Sequence, residues 1–166
     1  IIQGDCVQKL TRLKPRTVNT CITSPPYWLL RDYGTGTWVG GKADCDHLGD
    51  EMRVWTLSNA IKSPKAFYRT ECPKCGAKRV DDKQLGLEET PEKFIRNMVR
   101  VFRFVKNALR NDGTLWLNMG DSYQNNLQLN GMPWKLALAL QEDGWYLRQD
   151  IIWHKPNPMP ESVKNR

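Results

Sequence analysis

A chain of 166 residues, 40% of them apolar, is long enough for one domain with its own core. Its 25 Lys and Arg against 18 Asp and Glu leave a formal charge of +7, which favours polyanions, nucleic acid first and anionic membrane second. No apolar run approaches the ~20 residues of a membrane span, the first residues show no charged stretch followed by an apolar one of the secretory kind, and five cysteines argue for reduced thiols or metal, with an intracellular setting expected, rather than a disulfide framework.

Ile1-Ile2-Gln3 is a short apolar lead-in closed by Gly4-Asp5. Because the chain opens without Met, its true start is expected upstream. Asp5 suits the N-cap of a short helix through about Leu13, with Val7, Leu10 and Leu13 on one face. Pro15 stops it. Val18 to Thr23 reads as a buried strand that runs into Pro25-Pro26. Residues 34–86 break the pattern: glycines at 34, 36, 40 and 41 precede charged and polar residues, and little regular structure is expected there. Thr90-Pro91-Glu92 then carries a helix start, a capping threonine before proline. Phe94, Ile95, Met98, Phe102, Val105 and Leu109 recur at three- and four-residue spacing, an amphipathic helix of about five turns, with Asn111-Asp112-Gly113 expected to end it. Residues 114–118 read as a strand, 133–142 as a helix and 145–153 as a third strong strand. Strands alternating with helices imply a mostly parallel sheet with helical crossovers.

In an open parallel sheet, ligands bind outside the carboxyl ends of the strands. Thr23-Ser24-Pro25-Pro26-Tyr27-Trp28 sits at such an end. Proline has no N–H, and Pro26 restricts the residue before it to extended geometry. The turn is therefore stiff and exposes acceptors, the Ser24 hydroxyl and nearby carbonyls, beside the flat faces of Tyr27 and Trp28. That combination suits a planar ligand bearing an amino group, the shape of a nucleobase extruded from a duplex. An ordinary Pro-rich turn after a strand is the plain alternative.

These residues carry a resemblance. Thr23-Ser24-Pro25-Pro26-Tyr27-Trp28 resembles the catalytic motif of amino-group DNA methyltransferases, Asp/Asn/Ser-Pro-Pro-Tyr/Phe. Ile2-Gln3-Gly4-Asp5-Cys6 resembles the segment that precedes this motif in permuted members. Residues 113–123 (GTLWLNMGDSY) are similar to their next core strand, and 145–157 (WYLRQDIIWHKPN) to the strand and loop after it. The resemblance implies a Rossmann-like α/β fold, a three-layer sandwich with a mostly parallel sheet. It implies S-adenosylmethionine as methyl donor, double-stranded DNA as substrate and an exocyclic amine as acceptor. Ser at the first motif position leans toward cytosine N4, since adenine N6 enzymes more often carry Asp there. Ser24, Pro25, Pro26 and Tyr27 would be catalytic, Trp28 would wall the base pocket, and Asp5 and Cys6 would lie near the cofactor. A restriction endonuclease is a partner consistent with this reading, in the cytoplasm of a bacterial, archaeal or phage-infected cell. The resemblance covers a catalytic core at 1–33 and 87–166. The family's Phe-x-Gly-x-Gly turn is not found, and in permuted members it follows the catalytic blocks. The C-terminal part of the core is therefore expected beyond Arg166, and residues are expected to be missing near Gln124 to Asn130. A catalytically silent nucleic-acid-binding module is the non-enzymatic alternative, and the oligomeric state is left open.

Four further residues form a second constellation inside 34–86. Cys72-Pro73-Lys74-Cys75-Gly76 resembles a zinc-ribbon knuckle, and Cys45-Asp46-His47 could complete a tetrahedral Cys3His site. Such a zinc would be structural, because all four positions are filled, and it would fold a polar segment that lacks a core. Unliganded cysteines in a loop are the alternative. Lys62, Lys65, Arg69, Lys74, Lys78 and Arg79 make the segment basic. Arg148 and Lys155 are candidate phosphate contacts. Asp121 is either ligand-side or a turn residue, His154 is read as solvated, and Cys6 and Cys21 as small buried hydrophobes.

Overall fold

Asp5 caps the first helix, α1 (Cys6–Leu10), its carboxylate accepting from Gln8 N at 2.9 Å. The computed structural model describes residues 1–31, 33, 35–47, 71–80, 84–123 and 128–157. The expectations on Lys62, Lys65, Arg69 and the segment beyond 157 lie outside these residues. α1 is shorter than its apolar spacing suggests, and a single further turn carries the chain to Leu13. β1 (Val18–Thr23) follows, then β2 (Thr37–Val39), β3 (Lys78–Val80), α2 (Pro91–Ala108), β4 (Leu109–Leu117) and α3 (Met132–Glu142).

β1 and β4 form a parallel ladder joined through α2. Thr90 starts α2 with its side chain accepting from Lys93 N, and Pro91 occupies the first turn, as the sequence signal predicts. The C-terminal end differs from expectation. α2 stops at Ala108, and β4 begins at once, so Asn111-Asp112-Gly113 lies inside a strand. Val18 pairs with Leu109 and Thr20 with Thr114, which leaves Arg110 to Gly113 as a bulge. Arg110 Nε donates to Asp112 Oδ1 at 3.0 Å across it. Gly113 fits because a β-carbon there would lie 3.0 Å from Arg110 O and 3.1 Å from Asn19 O. A turn tripeptide thus serves a bulge as well as a helix stop.

The core lies on one side of this ladder. Phe94, Met98, Phe102 and Val105 make the buried stripe of α2, and Met132, Leu136 and Leu140 face it from α3. Each such burial stabilises by roughly 1.5–3 kcal/mol. Cys21, Leu115 and Leu117 point into this core, whereas Ile22 and Trp116 alternate outward and are 77% and 49% exposed.

β2 and β3 form a separate antiparallel ladder, Trp38 opposite Arg79, where little regular structure was expected. The expected strand at 145–153 is absent. Trp145 packs against the core, but residues 146–157 are exposed and form no ladder among the described residues, Ile151, Ile152 and Trp153 included. Their pattern suits a strand, but a strand needs a neighbour to take its backbone hydrogen bonds. No described helix is long and apolar enough to cross a membrane.

Candidate active site and metal cluster

Parallel pairing brings the carboxyl ends of β1 and β4 together. Thr23 is opposite Leu117, and Asn118 N donates to Thr23 O at 2.9 Å just beyond. Ser24-Pro25-Pro26-Tyr27 leaves from one strand and Asn118-Met119-Gly120-Asp121 from the other. The Tyr27 ring lies on Gly120, where a β-carbon would come within 2.7 Å of Cε2. Ser24 is exposed and its Oγ donates to Tyr27 Oη at 3.4 Å, a long contact. Pro25, Pro26 and Tyr27 are half-buried.

Trp28 is 8% exposed within the core cluster, and its Nε1 donates to the Glu88 carbonyl at 2.9 Å. It supports the turn from the core side. Leu29 N donates to Gly86 O at 2.7 Å, and Ser122 Oγ donates to Trp28 O at 3.3 Å. Leu29 holds a left-handed φ of 54°, unusual for a branched residue, within these constraints. The Gly86–Glu88 segment is therefore part of the turn's setting. Sequence reasoning passed over it; the available signal was an acidic residue in an apolar run, Leu85-Gly86-Leu87-Glu88, just before a helix cap.

Asp121 has a structural task. Its Oδ1 accepts from Ser122 N at 2.9 Å and Met132 N at 3.1 Å, and its Oδ2 from Gly131 N at 2.7 Å. It closes the amino end of α3, whose own N-cap, Gly131, has no side chain to do so. Asp5 and Cys6 lie at the start of α1. Cys6 is exposed rather than buried as a hydrophobe, and partial burial of its sulfur, followed by the Asp5 charge, pushes its thiol pKa up. Burial raises that of Cys21. Arg148, His154 and Lys155 are exposed in the extended run after Trp145.

Cys45, His47, Cys72 and Cys75 converge, with one ligand atom of each within 4.8 Å of the others. Cys45 Sγ and Cys72 Sγ are 3.8 Å apart, and Cys75 Sγ and His47 Nδ1 are 3.5 Å apart. Zinc–sulfur bonds of about 2.3 Å and zinc–nitrogen bonds of about 2.0 Å at tetrahedral angles give S···S and S···N edges of about 3.8 and 3.5 Å. These two edges match those of a tetrahedral metal site, and all four ligand atoms lie close enough together to share one ion. Gly76 N donates to Cys72 O and Cys72 N to Ala77 O, the tight turn that lets two thiolates face one point. The Lys42 backbone N–H, with a smaller contribution from Ala77, lowers the Cys75 thiol to about 6. At Cys45 the His47 N–H pulls downward, but burial and the neighbouring thiols outweigh it, so the net shift is upward. His47 stacks on Trp38 of β2 with ring centroids 5.0 Å apart, and Arg79 of β3 lies over the same indole. The cluster and the β2–β3 ladder thus form one unit.

An α/β chain with a Ser-Pro-Pro-Tyr turn at the carboxyl end of a parallel pair is the class of molecule these observations define. The chain belongs to the DNA methylase family: residues 18–166 match the model of its N6 and N4 methyltransferases. Over 194 aligned positions it is 34% identical to the type II methyltransferases M.XycI of Xanthomonas campestris pv. cyanopsidis and M.Cfr9I of Citrobacter freundii, each alignment covering 100% of this chain and 49% of the relative. It is 33% identical to the type II methyltransferase M.SmaI of Serratia marcescens, covering 100% of this chain and 51% of that protein. The chain thus spans about half the length of these curated relatives. No solved structure shows a significant match.

Proposed function

We propose that this chain is the catalytic part of an S-adenosylmethionine-dependent DNA amino-methyltransferase acting on the N4 amine of cytosine in double-stranded DNA. In this reading β1 and β4 belong to a three-layer α/β sandwich, and residues 34–86 are a zinc-ribbon-like insertion. The observation that carries it is the Ser24–Tyr27 turn, set at the carboxyl end of β1 with the Tyr27 ring against Gly120 beyond β4.

An exocyclic amine is a poor nucleophile, because its lone pair is conjugated into the base. The Ser24 side chain and the Pro25 carbonyl accept its two hydrogens and draw the nitrogen toward tetrahedral geometry. That is orientation combined with stabilisation of developing positive charge. Tyr27 stacks on the extruded base, while buried Trp28 keeps the turn rigid beneath it. S-adenosylmethionine, when bound, supplies an electrophilic methyl on a sulfonium cation. The turn suits that reacting end, with oxygens, an aromatic face and no basic side chain from Ser24 to Trp28. Asp5 and Cys6 are the residues proposed to hold the donor. Asp121 is not one of them, since three backbone N–H groups engage its carboxylate.

Cys45, His47, Cys72 and Cys75 hold a structural zinc with no open position. Exposed Arg148 and Lys155 meet DNA phosphate. A restriction endonuclease is the proposed biological partner, a reading supported by relatives that are type II methyltransferases. Ser24 favours cytosine, and the product decides. Full-length protein is incubated with DNA and labelled S-adenosylmethionine, and the digested nucleosides are identified by mass spectrometry. N4-methylcytosine is expected, lost in Ser24→Ala with Tyr27→Ala. N6-methyladenine would move the target base, and no label in either, as for a silent binding module, would overturn the enzymatic reading.

A further inference from the structure

Glu88 is a buried carboxylate, 8% exposed, and among the described residues no cation pairs with it. Burying such a group is costly unless its lone pairs are filled. Here they are filled by neutral donors from two directions. Oε2 accepts from Gly86 N at 2.8 Å, and Oε1 accepts from Asn97 Nδ2 of α2 at 2.9 Å. The Glu88 backbone carbonyl accepts from Trp28 Nε1. One residue therefore joins the principal helix to both sides of the Ser-Pro-Pro-Tyr-Trp segment.

Gly86 carries the connection into the turn. Its carbonyl takes the Leu29 N–H, and its φ of +94° is a left-handed conformation that favours glycine. A β-carbon on it would lie 2.9 Å from Tyr27 O and 3.2 Å from Pro26 Cβ. Gly86 thus lies flat against the turn, and the Glu88 carboxylate holds it there by its N–H.

We propose that Glu88 is a positioning residue for the methyl-transfer turn. Anchored on Asn97, it clamps Gly86 against Pro26 and Tyr27 and so fixes where Ser24 and Tyr27 meet the base. The assignment rests on the proposed function of that turn. It does not require Glu88 to touch substrate. The expected loss is of productive geometry rather than of binding, since a misplacement of about 1 Å can cost on the order of 100-fold in rate.

The test uses full-length protein and two readouts, steady-state methyl transfer and amide hydrogen exchange across residues 27–30. Glu88→Gln presents an amide N–H to one of two donors and breaks one link. Combining it with Asn97→Asp reverses the polarity of the link to α2 and lets the remaining carbonyl face Gly86 again. The expected result for Glu88→Gln is a kcat lowered 10- to 100-fold, KM values for DNA and S-adenosylmethionine within about threefold of the parent, and faster exchange at 27–30. The double variant is expected to recover both kcat and protection. Unchanged kcat and unchanged exchange in Glu88→Gln would overturn the proposal. So would a loss of rate that only follows the folded fraction and is not rescued by the double variant. If the parent protein transfers no methyl group, the functional reading fails, and the exchange data alone decide whether Glu88 clamps the turn.

Discussion

Gly120 lies beneath the Tyr27 ring so closely that a β-carbon would be 2.7 Å from Cε2, 3.1 Å from Cδ2 and 3.5 Å from Cζ. The two residues follow different strands, ninety-three positions apart in the chain, and meet only because β1 and β4 are parallel and in register at their carboxyl ends. Gly120 has no positive φ to explain it. Its lack of a side chain is used for the ring's seat.

Gly120→Ala is therefore expected to push the Tyr27 ring outward while leaving the backbone of the β4 exit unstrained. Methyl transfer by full-length protein should fall by about 10- to 100-fold, with a melting temperature within a few degrees of the parent. Gly120→Ser should behave alike, since the clash is with Cβ. Steady-state assays beside thermal melts check this. Parent-like activity in Gly120→Ala would mean that the ring's seat on the glycine does not matter to the chemistry.

The metal cluster predicts a stoichiometry. One zinc per chain is expected by elemental analysis, and cobalt substitution should give the visible bands of a tetrahedral thiolate site. Cys72→Ser, which alters the one buried ligand, should remove the metal. Chelation should expose residues 35–47 and 71–80 to protease while the core melt, which rests on Phe94, Phe102 and Leu136, changes little. Retention of zinc by Cys72→Ser would place the ion elsewhere.

Acid should weaken the start of α2 through Glu92. Its pKa is lowered from the usual 4.5, first by its own backbone N–H at the helix terminus, then by the Thr90 side chain. With the folded value below the unfolded one, the unfolded chain binds more protons between them. The carboxylate's contribution is thus fully present above pH 4.5 and is lost as pH falls through the folded value. Denaturation of parent and Glu92→Gln should show a difference above pH 4.5 that shrinks below it. Thr90→Ala should cost about 1 kcal/mol and shrink the acid effect as well, because it removes one of Glu92's partners.

The parts that were legible from sequence are those set by local chemistry. Thr90-Pro91 and the stripe Phe94, Met98, Phe102, Val105 located α2, and the proline pair located the end of β1. The convergence of Cys45, His47, Cys72 and Cys75 followed from ligand type and spacing. What was not legible depends on partners distant in sequence. Residues 146–153 have the composition of a strand, yet pairing decides whether one forms. Asn111-Asp112-Gly113 reads as a helix stop until Arg110 and the neighbouring Asn19 carbonyl show it to be a bulge. Glu88 was passed over in the sequence, because only folding brings Gly86, Asn97 and Trp28 around it.

Asp121 offers the sharpest separation of a structural carboxylate from a chemical one. It sits one residue beyond Gly120 at the ligand end of β4, where a catalytic or cofactor role is easily read. Its oxygens instead accept the N–H groups of Gly131 and Met132 at the start of α3, ten and eleven residues downstream, and that of Ser122. A carboxylate at a helix amino terminus satisfies orphan donors and meets the positive end of the dipole. Asp121→Ala should thus destabilise full-length protein by about 1–2 kcal/mol in urea unfolding. Asp121→Asn should lose part of that, because its amide group must turn N–H toward a backbone N–H on one side. Affinity for S-adenosylmethionine, measured by calorimetry under conditions where both variants are fully folded, should stay within about threefold of the parent. A large loss of donor affinity with unchanged stability would return Asp121 to the cofactor site and leave the amino end of α3 without the cap its geometry shows.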